Sequence, residues 1–170
     1  MHETTLRLIE IAWTGPHTQA EVAALRGDGD RGVLQVYGSH AVFGDDALLF
    51  IGKAFEMRFG GAVAALTPWL RFLPSEPVFY LGRLGGLSPV DEASWERLTD
   101  AAERLLVFFH SPPWCSRGID RHEVAEPTVV LNLGKSHRLA IEVSTLWSTS
   151  RWDPDGGAWQ PYAPLTRESP

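Results

Sequence analysis

The chain is short of three things, and each shortage removes a class of protein. It has one cysteine, Cys115, in 170 residues. No disulfide can form within it, and a lone thiol fits a reducing cytoplasm. It has no apolar run near the ~20 residues that a helix needs to cross a bilayer. Its first residues, Met1-His2-Glu3-Thr4-Thr5, lack the basic start and apolar stretch of a signal peptide. The expectation is a cytoplasmic protein with no membrane partner. Positive charge is scarce as well: the net charge is −6 and the pI about 5.5. Avid non-specific binding to DNA or RNA rests on Lys and Arg against phosphate, which this balance does not favour. Internal repeats and low-complexity blocks are also lacking.

What is present is an ordinary globular composition, 44% hydrophobic and 21% charged, at a length that suits one domain with a real core. Charge is uneven. Residues 104–138 carry five Arg and Lys against three acids, a local +2 that leaves −8 elsewhere. That stretch is either a modest basic face or a mixed solvated surface.

Residues 5–13 alternate as a strand that Gly15-Pro16 ends. Thr18 and Glu21 have the spacing of a capping box before a short helix. Residues 32–38 and 46–52 form two strands joined by a short turn, hence antiparallel neighbours. A short helix follows Lys53 towards Leu66, weakened by Gly60-Gly61 and stopped at Thr67-Pro68. Residues 77–83 form a third strand. Ser88-Pro89 with Asp91 starts the clearest helix, on which Trp95, Leu98, Ala102, Leu105, Leu106 and Phe109 make one apolar face. Pro112-Pro113 ends it. Two more strands are predicted at 127–133 and 138–147, and an irregular tail follows Trp152. The class is α+β: a small central antiparallel sheet flanked by helices, with extra C-terminal strands.

Two motifs stand out in this order. Gly32-Val33-Leu34-Gln35-Val36-Tyr37-Gly38 is followed across the turn by Leu48-Leu49-Phe50-Ile51-Gly52-Lys53-Ala54. With the helix and strand after them, and with Arg104 to Pro113 at the end of the late helix, they resemble the GIY-YIG nuclease family. The likeness covers residues 30–120 as a core, within a single domain of residues 1–170 whose residues 121–170 form a C-terminal extension. It implies metal-assisted phosphodiester hydrolysis. A tyrosine hydroxyl would help deprotonate water, an arginine would meet phosphate charge, and a glutamate with an asparagine nearby would hold and shape a divalent-metal site.

The chain departs from that pattern at most of these positions. Leu34 and Phe50 stand where the resemblance implies tyrosines, Ala62 where it implies the arginine, and Cys115 where it implies the asparagine. Tyr37 is three positions past Leu34, so strand alternation sends it to the opposite face. Arg58 lies one turn before Ala62 and is either a displaced phosphate contact or a solvated arginine. Glu103 stands at the metal-binding glutamate, for Mg²⁺ or Mn²⁺, or else forms a surface ion pair. Lys53 either contacts phosphate or solvates the strand end.

Three functional expectations follow. The leading one is a degenerate GIY-YIG scaffold that lacks ordinary hydrolysis and binds a nucleic acid such as DNA, a nucleotide or a protein. The second is an unusual metal-dependent phosphodiesterase using Glu103, Lys53 and Arg58. The third is an enzyme repurposed for a small molecule through Cys115 or His110, with Glu103 on the preceding helix as the acid. His110, His122 and Glu123 match no specific metal-ligand spacing. Tyr80-Leu81-Gly82 imitates the second motif, but as part of the next strand it is expected to lie too far from Gly32 to matter. Trp114, Trp147, Trp152 and Trp159 either stack on bases or clamp the C-terminal extension to the sheet.

Overall fold

Local signals set most of the elements. The computed structural model describes residues 6–86 and 90–146. Thr18 caps the short helix α1 (Gln19–Ala23): its Oγ1 accepts from the Glu21 amide, and its own amide donates to the Glu21 carboxylate at 2.7 Å. The hairpin strands are β2 (Gly32–His40) and β3 (Gly44–Ala54), paired antiparallel with Leu34 opposite Gly52 and Val36 opposite Phe50. Asp91 caps a single 3₁₀ turn, Glu92–Ser94, before the late helix α3 (Trp95–His110). Ser88 and Pro89, expected to start that helix, lie outside the described residues. Ser111 ends α3 in a left-handed conformation, φ 44°, directly before the two prolines.

Two breaker signals act differently from expectation. The first strand, β1 (Arg7–His17), continues through Gly15-Pro16 by shifting register after Thr14. The second helix, α2 (Arg58–Leu70), starts later than the sequence indicates and runs through Pro68. The Pro68 ring deprives the carbonyl of Ala64 of its helical partner, but Ala64 is exposed and water can replace that bond. Leu70, buried at 4% exposure, anchors the last turn in the core. Gly60 has a packing reason: a Cβ there would come within 2.8 Å of the carbonyls of Ala23, which ends α1, and Leu25, just beyond it.

Strands β4 (Val78–Leu84), β5 (Thr128–Gly134) and β6 (Glu142–Ser144) complete one six-stranded sheet in the order β3-β2-β4-β1-β5-β6. The expected wholly antiparallel sheet is corrected here. β1 pairs antiparallel with β4 but parallel with β5, in register from Arg7 opposite Thr128 to Trp13 opposite Gly134. The sheet is therefore mixed. Its antiparallel part follows from short connections, whereas β5 returns to the N-terminal strand only after α3 and a long loop. The last strand covers 142–144 rather than 138–147.

Each sheet face has its own core. The α3 side buries Ile9, Ile11, Trp13, Val33, Tyr37, Ile51 and Tyr80 against Ala102, Leu105 and Leu106. All six positions of the predicted apolar face of α3 pack in this cluster. The other side buries Leu34, Val36, Phe79 and Leu81 against Val22, Phe59, Ala62 and Val63 from α1 and α2.

Candidate functional site

β3 is an edge strand, and the turn after α3 folds over it. The Trp114 amide donates to the Leu49 carbonyl at 2.9 Å, and Cys115 Sγ donates to the Ile51 carbonyl at 3.3 Å. These contacts occupy acceptors that an open sheet edge would otherwise present. They also build a corner between β3 and α3 where several of the sequence candidates meet.

Lys53 reaches across from β3 to an ion pair with Asp100 of α3. Arg104 holds the other Asp100 oxygen at 2.8 Å and reaches Glu123 at 3.3 Å. Burial opposes ionisation of Asp100, but Lys53 and Arg104 outweigh it and keep the carboxyl below its ordinary range. Glu103 differs. Among the described residues it has no hydrogen bond and no ion pair within 4 Å, and burial pushes its pKa up despite Lys53 and Arg104 nearby. Burial also raises the Cys115 thiol; its bond to Ile51 works the other way, and the charge of Glu103 adds to the rise. A thiol held protonated is not an activated nucleophile. His110 turns to the β5–β6 connection, where its Nε2 accepts from the Ala140 amide at 3.4 Å.

The candidates therefore divide between two faces. Lys53, Glu103 and Cys115 belong to the α3 side. Leu34, Phe50 and Ala62 belong to the α2 side, where Leu34 is 1% exposed and Ala62 6%. Arg58, the first residue of α2, spends its guanidinium on the Phe55 carbonyl at 2.8 Å and Asp28 at 3.0 Å. The trio of Glu103, Lys53 and Arg58 is not brought into one contact set. Among the described residues no group of three or more His, Cys, Asp and Glu side chains is placed to hold a metal ion.

The structure corrects the reading of Tyr80-Leu81-Gly82. Gly82 lies opposite Val33, and Leu81 opposite Leu34, so this stretch adjoins the first motif. Tyr37 and Tyr80 meet edge-on at 5.5 Å on the α3 face. His137 stacks on Tyr80 at 4.7 Å, and its Nε2 lies 3.0 Å from both Asp46 oxygens. Arg138 donates to Asp46 as well, and the Tyr37 hydroxyl donates to Gln35 at 2.6 Å. Burial raises the Tyr37 pKa, so the phenol stays protonated. Asp46 and His137 both have positive φ, 56° and 54°, at the point where hairpin and β5–β6 connection lock together. Nothing in the spacing of 46 and 137 announces this pair. Trp147, Trp152 and Trp159 lie outside the described residues.

Glu103 gives a pH prediction. A carboxyl whose pKa is raised on folding favours the folded state at low pH. That contribution is lost as pH rises from the ordinary value of 4.5 through the folded pKa. Glu103→Gln is expected to flatten this part of the stability–pH curve and to raise the thermal midpoint at pH 8 relative to wild type. Calorimetry of both proteins from pH 4 to 8 checks it; parallel curves would show that the charge of Glu103 is not strained by burial.

No model of a known protein family matches the chain, and no curated protein or solved structure does so either.

Proposed function

We propose that this chain uses a GIY-YIG-like scaffold in a binding role, without ordinary phosphodiester hydrolysis. One observation carries the loss of chemistry: Leu34, Phe50 and Ala62 pack with Phe59 and Val63 in a single apolar cluster. Positions that the resemblance assigns to proton transfer and phosphate contact are used here to fill a core. A positioned general base is worth ~10²–10⁴-fold in rate and an oxyanion donor ~10²–10³-fold. Lacking both, the chain has little left to accelerate cleavage. The scaffold half of the proposal rests on the order β2, β3, α2, β4, α3 and on the adjacency β3-β2-β4.

The ligand class that suits this reading is a nucleic acid or nucleotide. The test is plasmid DNA incubated with Mg²⁺ or Mn²⁺, wild type beside Glu103→Ala. Neither protein is expected to nick the plasmid above buffer. Nicking by wild type that disappears in Glu103→Ala would overturn the proposal and restore the phosphodiesterase reading.

A further inference from the structure

Arginine side chains from two distant parts of the chain converge beside the β3–α3 corner, with which their cleft shares Asp100 and Arg104. Arg97 and Arg104 sit seven residues apart on α3, two turns along one side of the helix, about 10.5 Å in rise. Arg7 opens β1. All three line a cleft of about 230 Å³ whose other wall is the loop before β5. Their counter-ions are unequal. Arg104 shares Asp100 with Lys53 and also meets Glu123, while Arg7 pairs with Glu126. Arg97 makes no hydrogen bond or ion pair among the described residues.

The two glutamates stand at the rim and the arginine beneath is sheltered. Glu123 and Glu126 side chains are 64% and 57% exposed, whereas the Arg7 side chain is 17% exposed. Ion pairs with so exposed a partner are worth little, ~0–1 kcal/mol, so a stronger anion can displace these carboxylates. The remaining carboxylate, Asp100, is already neutralised by Lys53 and Arg104. Burial and the like charge of Arg97 both act against the Arg7 cation, a tension that an anion between the two would relieve.

We propose that this cleft binds a phosphate monoester dianion, as carried by a nucleoside monophosphate. Forked guanidinium donors match tetrahedral phosphate oxygens, and a dianion outcompetes the monoanionic glutamates now occupying the rim. The cleft is larger than a phosphate group alone, leaving room for part of the body that carries it. The site gives the binding role proposed above its ligand, and to that extent rests on it.

The experiment follows amide shifts by NMR as inorganic phosphate, adenosine 5′-monophosphate or adenosine is added to the full chain. Phosphate and the nucleotide are expected to give saturable shifts around Arg7, Arg97 and Arg104, and adenosine none. Arg97 is exposed, so Arg97→Gln leaves the fold intact; it is expected to weaken both ligands roughly tenfold or more, the scale of a lost charge-assisted bond. Glu126→Gln removes a competing carboxylate and is expected to tighten both by up to roughly fivefold. Arg71→Gln, on another part of the surface, is expected to change nothing. No saturable shift in wild type, wild-type affinity in Arg97→Gln, or an equal loss in Arg71→Gln would each overturn the site. Plasmid nicking would sink the non-catalytic reading without moving these shifts, so the two failures are distinguishable.

Discussion

Gly32→Ala is expected to lose roughly 2–6 kcal/mol of stability, the sum of two costs of ~1–3 kcal/mol each. The first is backbone strain: Gly32 has φ +143°, a region that residues with a Cβ rarely adopt. The second is overlap. A Cβ built there falls 2.0 Å from the Gly82 carbonyl oxygen, and this neighbour is backbone in the adjacent strand, which cannot swing aside. Domains of this kind hold only ~5–15 kcal/mol in total, so the variant is expected to express poorly or to unfold at a much lower urea concentration. Gly44→Ala is the control. It also has positive φ, +79°, but nothing lies within 4 Å of its Cβ, so strain alone remains, ~1–2 kcal/mol. Equal urea midpoints for the two variants would mean that the packing of Gly32 against β4 is not what constrains it.

The hairpin that carries this glycine is legible from sequence, although its contact with Gly82 is not. Thr18 with Glu21, the β2–β3 hairpin and the apolar face of α3 all rest on contacts between near neighbours, where spacing carries the information. Breaker residues were less informative because their effect depends on exposure: Pro68 sits in α2 where its cost falls on a solvent-facing carbonyl. Pairing between distant strands left no local trace. Alternation in β1 and β5 says which residues point inward but not which strand lies alongside. So the parallel register, the closeness of Gly82 to Gly32, and the meeting of Asp46 with His137 emerged only with the fold.

The candidate site divided along the same line. Glu103 and Cys115 are about three helical turns apart in sequence, and a tight turn returns the chain, so their proximity follows from local geometry. Lys53 joins them through Asp100, which in the sequence is one more charge on α3 with no motif around it. Arg7 and Arg97 carry no motif at all. They form a candidate because one opens β1, the other lies in the first turn of α3, and both line the same cleft.

Asn132→Leu tests the non-local part of the fold. Hydropathy alone would favour it, since Asn132 is 4% exposed in a core of Ile11, Trp13 and Val130. The hydrogen bonds argue the opposite. Asn132 Oδ1 accepts from Trp13 Nε1 at 2.8 Å, and its Nδ2 donates to the Ala140 carbonyl at 2.7 Å. One side chain thus ties β1 to β5 across the parallel pair and ties β5 to the connection before β6. Leucine would leave the buried indole N–H unpaired, at ~1–3 kcal/mol, while the carbonyl of Ala140, an exposed residue, can turn to water. That penalty outweighs the gain from burying a few more apolar atoms, so the expected loss is at most roughly 2 kcal/mol, read from urea denaturation. A second variant separates this bond from general disruption. Trp13→Phe keeps the ring in the core and deletes the donor, so in that background Asn132→Leu is expected to cost ~1–3 kcal/mol less. The same loss in both backgrounds would mean that the Trp13–Asn132 bond contributes nothing, and that apolar packing alone holds β5 beside β1.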